Sequence, residues 1–329
     1  MMQWLSLGLL FSMHIHVTFA ALAAAEYREE CAHVHGTVQH SRLRVAIGFF
    51  GISRNMSSTI SSIRHHVFEP LLKNNISYDV YWHTLVSRAI DQHRGKETEK
   101  GFLDPFDVQV LNPCVFTLTN QESVRIPELE RFAAARNVSL DSLNSHRVMR
   151  KYDVWDDNYV SVKNILGSYF TQADLAKMIT LHAKLHKIKY DAILAIRPDT
   201  AVMRDIDLPT KMLDIQQHPN YLWVPDFHHW YGYNDRAAFG SLNVMISYLN
   251  RGRYFRDTPF TNTGENLLKV LEEKDWWKIQ MSTMRVLRTR QNGCVSYRDY
   301  PKKINIALDD PDFKRCVPNT DTGELSAAC

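Results

Sequence analysis

The chain has 329 residues, of which 45% are hydrophobic and 23% charged, and its formal net charge is +3. This composition is typical of an ordinary globular protein, and the length suits one large α/β domain or two modest ones. Because the net charge is small and the basic residues are scattered, nothing in the sequence indicates nucleic-acid binding.

The N-terminus predicts entry into the secretory pathway. Residues 4–25 contain no Lys, Arg, Asp or Glu and end in small residues, as at a signal cleavage site. About 20 apolar residues also span a bilayer, so a cleaved signal peptide and a single N-terminal membrane anchor are both open. Three sequons, at Asn55, Asn75 and Asn137, agree with a luminal or secreted glycoprotein. We predict a location in the Golgi or endoplasmic reticulum lumen, or outside the cell.

The cysteine pattern agrees with an oxidising compartment. None of the five cysteines forms a CxxC pair, so a zinc site is not favoured and one or two disulfides are expected. The cysteines are Cys31, Cys114, Cys294, Cys316 and Cys329.

The apolar pattern divides the chain into a signal segment (1–25), a linker (26–42), an α/β domain (43–300) and a tail (301–329). Residues 43–50 form a near-continuous apolar run, typical of a strand that is covered on both faces. A helical pattern follows, and residues 76–85 form a second strand. A strand, helix and strand within some forty residues predict a βαβ unit, so the sheet begins parallel.

The rest of the domain alternates in the same way. We predict a charged turn at 97–101, short strands at 106–110 and 115–118, and a helix at 169–187. Strands at Ala192–Ile196 and Tyr221–Pro225, helices at 241–250 and 265–276, and a strand at 283–290 complete the pattern. This order predicts an α/β fold, a Rossmann-like three-layer sandwich with a mostly parallel sheet.

Ligands of open parallel sheets bind at the carboxyl ends of the strands, and the ends here carry polar residues. After the first strand, Gly51 allows close approach of a ligand to the backbone. The next helix N-terminus and the guanidinium of Arg54 offer positive charge to a phosphate. A plain turn with a solvated Arg54 is the alternative.

The strand that ends at Ile196 is followed by Arg197-Pro198-Asp199. Asp199 is placed to reach a divalent metal ion, since such ions prefer hard oxygen ligands. Arg197 is placed to hold a diphosphate or to pair with Asp199. The competing interpretation is an internal salt bridge under a turn.

Two further carboxylates are candidates for general base catalysis. Asp235 precedes a small apolar stretch, and Glu265 begins a predicted helix. Their alternative roles are a turn cap and a favourable helix-terminal charge. The aromatic segment 227–233 offers rings for stacking on a sugar or a base, or fills the core.

Taken in order, the motifs GFFGISR, YDVYWHT, YDAILAIRPDT, NDRAAFGS and GENLLKVL resemble a poorly characterised glycosyltransferase-like family, similar to nucleotide-sugar-dependent glycosyltransferases of the type A fold. The resemblance covers residues 43–290. It implies one Rossmann-like domain, a nucleotide-diphosphate sugar donor, an acceptor on a glycan, glycoprotein or glycolipid, and often Mn²⁺ or Mg²⁺.

Carried over by position, the resemblance implies nucleotide contacts for Gly51 and Arg54, a metal-binding role for Asp199, and acceptor or base roles for Asp235 and Glu265. The chain departs from the pattern at Arg197, where the first carboxylate of the usual acidic motif is expected. It also has no histidine after position 229. An enzyme that uses Arg197 in place of a metal and an inactive protein both fit these departures.

Three functions are therefore open for this sequence. The first is a luminal glycosyltransferase that moves a sugar to a hydroxyl acceptor. The second is a secreted carbohydrate-binding or catalytically degenerate protein with the same fold, which the departure at Arg197 favours. The third is a luminal sulfotransferase, suggested by the loop GISRNMSST, although this loop lacks the expected glycine before its hydroxyl pair.

Overall fold

The structure is a computed structural model. It describes residues 26–27, 43–87, 89–94, 97–104, 107–138, 159–227, 229, 232–257, 268, 271–272, 277–290, 293, 295, 315–318 and 325–328. Within these ranges, no helix is both long enough and apolar enough to span a bilayer. The predicted signal segment lies outside the described residues.

Fourteen strands are described. They are β1 Glu26–Tyr27, β2 Leu43–Gly51, β3 Ile76–Val86, β4 Ala89–Arg94, β5 Glu97–Phe102, β6 Val115–Asn120, β7 Ala192–Ile196, β8 Thr200–Val202, β9 Tyr221–Pro225, β10 Ala237–Gly240, β11 Lys278–Ser282, β12 Val286–Arg288, β13 Arg315–Pro318 and β14 Leu325–Ala328.

Among the same residues, the helix α1 comprises Ile60–Ile63, a π-helical turn at Arg64–Phe68, and Glu69–Lys73. The other helices are α2 Gln121–Ala134, α3 Val160–Leu185, α4 Leu208–Gln217, α5 Leu242–Leu249 and α6 Gly252–Asp257. Short 3₁₀ turns cover Met56–Ser58 and Asp107–Leu111.

Eight of these strands form one sheet in the order β1-β6-β3-β2-β7-β10-β9-β11. The pairs β2–β3, β2–β7, β3–β6 and β9–β11 are parallel. Strand β10 lies antiparallel between β7 and β9, and β1 lies antiparallel to β6 at the edge. The prediction of an α/β fold with a mostly parallel sheet is confirmed.

Helices cover both faces of the sheet, because each face carries apolar side chains. Ala46 and Phe50 of β2 join a core beneath α2, α3, α5 and α6. Val45, Ile47 and Phe49 join a second core beneath α1, α4 and the β8–β12 ribbon. A strand that is buried on both faces reads as a continuous apolar run, as predicted for residues 43–50. The predicted three-layer sandwich follows from these two cores.

Two local predictions were wrong. Residues 97–101, expected as a charged turn, belong to β5, which pairs with β4 in an antiparallel hairpin. Residues 106–110, expected as a strand, lie largely in the 3₁₀ turn Asp107–Leu111. A polar sequence is compatible with a strand in a two-stranded ribbon, because such a strand need not bury a face in the main core.

Part of the predicted linker (26–42) forms the edge strand β1. Glu26 and Tyr27 pair with Phe116 and Val115 of β6. Just before β6, Cys114 is buried and disulfide-bonded. This bond agrees with the expectation of one or two disulfides.

Candidate functional site

The carboxyl ends of β2 and β7 lie side by side, because these strands are parallel neighbours. From β2 the sheet continues through β3 on one side, whereas β7 lies on the other side. Ligands of open α/β sheets bind where the strand order reverses in this way. The segments at this point are the loop that follows Gly51 and the turn Arg197-Pro198-Asp199.

Asp199 lies at the centre of a cluster of arginines. Its Oδ1 accepts a hydrogen bond from Nε of Arg197 at 2.8 Å, and its Oδ2 accepts one from Nη2 of Arg197 at 2.6 Å. Oδ2 also accepts from Nη1 of Arg54. Asp199 is 0% exposed, Arg54 is buried, and the Arg197 side chain is 28% exposed. Arg197 is therefore the member of the cluster that a ligand can reach most easily.

Several positive charges act on the Asp199 carboxylate. Burial alone raises the pKa of Asp199, but the nearby charges of Arg197 and Arg54, with a contribution from Arg288, lower this pKa well below its ordinary value. The carboxylate is therefore ionised. The partly exposed guanidinium of Arg197 offers donors to an anionic ligand.

Hydrogen bonds from two other elements hold the Asp199 turn. The carbonyl of Asp199 accepts from the backbone N–H of Thr289 at 2.8 Å and from its hydroxyl at 3.2 Å. The hydroxyl of Thr59 donates to the carbonyl of Pro198 at 3.0 Å. Thr59 and Thr289 are both 0% exposed. The turn is thereby fixed to the start of α1 and to the segment after β12.

Gly51 ends β2 with φ of +94°, a conformation that glycine adopts far more readily than other residues. A Cβ added at Gly51 would meet no atom within 4 Å among the described residues, so open space adjoins the backbone here. The next part of the loop is tied down, since Oδ2 of Asp107 accepts from the Ser53 hydroxyl at 2.8 Å and from the Met56 N–H at 3.0 Å.

The contact with Asp107 changes the expected role of the helix start. The sequence predicted free N–H groups there for an anion, but the Met56 N–H already donates to a carboxylate. The arginine cluster, rather than this helix terminus, is the main source of positive charge near Gly51.

Asp235 lies at the same edge of the sheet. Ala237 of β10 pairs with Ile196 of β7, and the N–H of Arg197 donates to the carbonyl of Arg236 at 3.1 Å. The Asp235 carboxylate is 26% exposed, and its Oδ2 lies 3.9 Å from Nη2 of the fully buried Arg251. It is therefore partly open to solvent beside a fixed cation.

Asn234 fixes the loop that carries Asp235. Its amide nitrogen donates to the carbonyl of Phe227 at 2.9 Å, and its Oδ1 accepts from the N–H of Arg236 at 3.0 Å. Asn234 is 1% exposed, so these bonds are shielded from water. Asn234 is therefore a positioning residue for this loop.

The fold brings Gly51, Arg54, Arg197 and Asp199 to one place, with the backbone of Asp235 beside them. Glu265 and three of the predicted stacking residues, His228, Trp230 and Tyr231, lie outside the described residues. Trp82 and His83, in the second half of β3, are completely buried.

Sequence reasoning missed three contributors to the site: Asp107, Arg288 and Thr289. The three arginines at 285, 288 and 290 were a usable signal for Arg288. Nothing local marks Asp107 or Thr289, whose contacts join segments far apart in the chain.

The residues around Asp199 do not fit a divalent cation. Both carboxylate oxygens already accept hydrogen bonds from guanidinium groups. A metal ion at this carboxylate would have to displace those donors against their repulsion. The arrangement fits an anion instead.

No known protein family and no curated protein sequence matches this chain. Two solved structures show a remote likeness. Mouse xyloside xylosyltransferase 1 matches 73% of this chain and 84% of its own, with 10% identity and a TM-score of 0.34. The glycosyltransferase GlyE of Streptococcus pneumoniae TIGR4 matches 72% of this chain and 45% of its own, with 12% identity and a TM-score of 0.31.

Both names are those of glycosyltransferases, the class that the sequence resembles. Because both TM-scores lie below 0.5, these likenesses carry no weight for the fold or the function of the chain. Its fold rests on the strand order described above.

Proposed function

We propose that this protein is a glycosyltransferase of the secretory pathway lumen, which moves a sugar from a nucleotide-diphosphate sugar to a hydroxyl on a glycan, glycoprotein or glycolipid. The observation that carries the proposal is the meeting of Arg54, Arg197 and Asp199 at the carboxyl ends of adjacent parallel strands. A diphosphate is the anion that the donor presents, and this edge of the sheet is where a nucleotide binds in such folds.

Arg197 is the proposed diphosphate ligand. Asp199 binds its Nε and Nη2, which fixes the plane of the guanidinium before a ligand arrives. Its Nη1 makes no hydrogen bond to the residues that the structure describes. Arg54, which is buried, binds the same carboxylate and holds it in place. Asp199 therefore acts as a positioning residue for Arg197. Donors fixed in this way stabilise developing charge on a leaving group without reorganising.

The proposed reaction uses the site as follows. The acceptor oxygen attacks the anomeric carbon, the bond from that carbon to the diphosphate oxygen breaks, and its electron pair leaves with the diphosphate. Arg197 stabilises the added charge. The acceptor proton passes to a carboxylate, for which Asp235 is our first candidate and Glu265 the second.

Compartment and metal use belong to the proposal as well. The apolar segment 4–25 and the disulfide at Cys114 support a luminal or secreted protein. The resemblance implied Mn²⁺ or Mg²⁺, whereas the guanidinium groups around Asp199 supply positive charge themselves. We therefore expect donor binding to persist in EDTA.

The test measures binding of a panel of nucleotide-diphosphate sugars to the purified chain by calorimetry, with and without EDTA. Arg197→Gln should weaken binding of the preferred donor about 10- to 100-fold, because a hydrogen bond to a charged group is worth about 1.5–3 kcal/mol. Arg253→Gln is the matched control, since this exposed arginine packs on Tyr254 and takes no part in the site. Equal affinities for the two variants, or no donor binding at all, would refute the proposal.

Turnover separates the enzyme from a degenerate protein. With a bound donor and a panel of hydroxyl acceptors, release of nucleoside diphosphate should be measurable. Asp235→Asn should lower the rate of this release while the affinity for the donor stays unchanged.

The complete burial of Asp199 favours the second candidate, a carbohydrate-binding or degenerate protein, which would bind a ligand without releasing nucleoside diphosphate. Tighter binding of a 3′-phosphoadenosine nucleotide than of any nucleotide sugar would point to a sulfotransferase.

A further inference from the structure

A second cluster of ligating side chains lies on the outer surface of α1, apart from the arginine cluster. One donor atom each from His65, His66 and Asp205 lies within 4.8 Å of the others. Nδ1 of His66 is 2.7 Å from Oδ1 of Asp205. Glu69 lies next to this cluster, with Oε2 at 3.2 Å from Nδ1 of His65 and at 3.6 Å from Nζ of Lys73.

The two neighbouring histidines of this surface lie in a π-helical turn. Adjacent residues of an α-helix point about 100° apart and do not face each other. His65 and His66 lie in the π turn Arg64–Phe68, and their ring centroids are 4.6 Å apart. Single π turns occur frequently at functional sites.

The third ligand is held against this turn by the backbone. The carbonyl of His66 accepts a hydrogen bond from the N–H of Ile206 at 2.9 Å. In the same region, the Ser62 hydroxyl of α1 accepts from the N–H of Val202 at 3.1 Å. These two bonds fix the segment after β8 beside α1. Asp205 therefore meets the histidines through backbone geometry, and not only through its own side-chain contact.

We propose that His65, His66 and Asp205 form a binding site for a divalent transition-metal ion such as Zn²⁺ or Cu²⁺. Two imidazoles with a carboxylate suit such ions better than Mg²⁺ or Ca²⁺, which prefer oxygen alone. Ligands about 2.0–2.2 Å from one ion lie within roughly 4.2 Å of each other, so the donors need only a small approach.

The exposure of the side chains permits this approach. The side chains of His65 and Asp205 are 60% and 61% exposed, and that of His66 is 21% exposed. Long packed side chains do not have to move, since the cluster lies at the surface. The Asp205 carboxylate also offsets part of the charge that the ion brings.

The experiment titrates ZnCl₂ into the full chain after chelator treatment and follows the heat of binding. We expect one equivalent to bind to the wild type and at least about tenfold weaker binding to His66→Ala and to Asp205→Asn. Even the loss of a residue that only hydrogen-bonds to a metal ligand lowers the affinity for the metal about 10–100-fold. His218→Ala is the matched control, because this exposed histidine stacks on Tyr221 away from the cluster.

Two further measurements keep the result interpretable. Urea unfolding in EDTA should give the same midpoint for each variant as for the wild type, which separates loss of the site from loss of the fold. Bound Cu²⁺ should show nitrogen hyperfine structure from two imidazoles in the wild type and from one in His65→Ala. The proposal is overturned if Zn²⁺ affinity is the same in all variants, or if His218→Ala loses as much as His66→Ala.

Discussion

Burial and charge act in opposite directions on individual side chains of this protein, and the balance differs from one residue to the next. At Asp199 the arginine charges prevail over burial, and the pKa falls. At His83 burial prevails: it lowers the pKa to about 4, although Asp174 raises it again in part and Lys177 lowers it further. The sequence shows both only as polar residues, Asp199 after β7 and His83 within β3. Only their tertiary surroundings make one of them charged and the other neutral.

His83 contributes a pH dependence to stability. The residue is 0% exposed, and its Nε2 lies 2.9 Å from the hydroxyl of Thr119. On the α3 side it faces the ring of Phe170, Asp174 and Lys177. Its pKa is about 4 in the folded chain, against about 6.5 in an unfolded chain. Between these values the unfolded chain takes up a proton that the native chain does not, so stability falls as the pH falls.

We therefore expect His83→Gln to lose less stability than the wild type between pH 6.5 and pH 5. The difference should be about 2 kcal/mol, since one pKa unit corresponds to about 1.4 kcal/mol. Urea unfolding across this pH range measures the free energy of unfolding. His218→Gln should behave like the wild type, because this side chain is exposed. A wild-type pH dependence in His83→Gln would show that other groups are responsible.

At the scale of elements, the packing of α3 on β2 depends on the absence of a side chain. A Cβ at Gly48 would lie 2.6 Å from Cδ2 and 3.1 Å from Cγ of Leu175. The nearest atom is the end of the Leu175 side chain, so a Cβ at Gly48 requires either another rotamer of Leu175 or a shift of strand and helix. Gly48 thus allows Leu175 of α3 to pack directly against the backbone of β2.

Gly48→Ala should destabilise the protein by about 1–3 kcal/mol, the usual cost of overpacking a core. Leu175→Ala should cost about 2–5 kcal/mol by leaving a cavity. The double variant should be more stable than the sum of the two changes predicts, because the smaller side chain makes room for the new Cβ.

Denaturant unfolding of the wild type, the two single variants and the double variant measures the coupling energy between Gly48 and Leu175. Leu213→Ala, a change at an exposed position of α4, should add to Gly48→Ala without coupling. Strict additivity in the Gly48–Leu175 pair would mean that the helix adjusts its position freely.

At the scale of the whole molecule, different polar networks lie at the amino ends and at the carboxyl ends of the central strands. At the amino end of β2, Arg44 donates to both oxygens of Asp79 at 2.7 and 2.8 Å. The hydroxyl of Tyr190 donates to Asp79 at 2.5 Å and lies 2.5 Å from the hydroxyl of Tyr81. Burial raises the pKa of both tyrosines, so they stay neutral. This network stabilises the fold. The arginine cluster, which forms the candidate site, lies at the carboxyl ends of the strands.

Tyr190→Phe should therefore lower the free energy of unfolding by about 1.5–3 kcal/mol, the value of a hydrogen bond to a charged group. The same variant should bind inorganic pyrophosphate as tightly as the wild type, as measured by calorimetry. Weaker pyrophosphate binding in Tyr190→Phe would contradict the separation of the two networks. Tyr254→Phe, at a partly exposed tyrosine, should change stability by less than about 1 kcal/mol, since its bond to Arg253 is at the surface.

By itself, the sequence determined the class of fold and the positions of the central strands, because a strand buried on both faces must be apolar throughout, as residues 43–50 and Ala192–Ile196 are. It also marked Gly51, Arg54, Arg197 and Asp199 as strand-end residues. The insertion of β10 between β7 and β9 was decided by pairing with partners distant in the chain, which a local pattern does not record. The polar strand β5 pairs with its neighbour β4 in a hairpin, but its charged sequence is also typical of a turn. Only the tertiary structure decided that Asp199 is enclosed by arginines rather than open to a metal ion, since both the burial and the charge around a residue come from segments far along the chain.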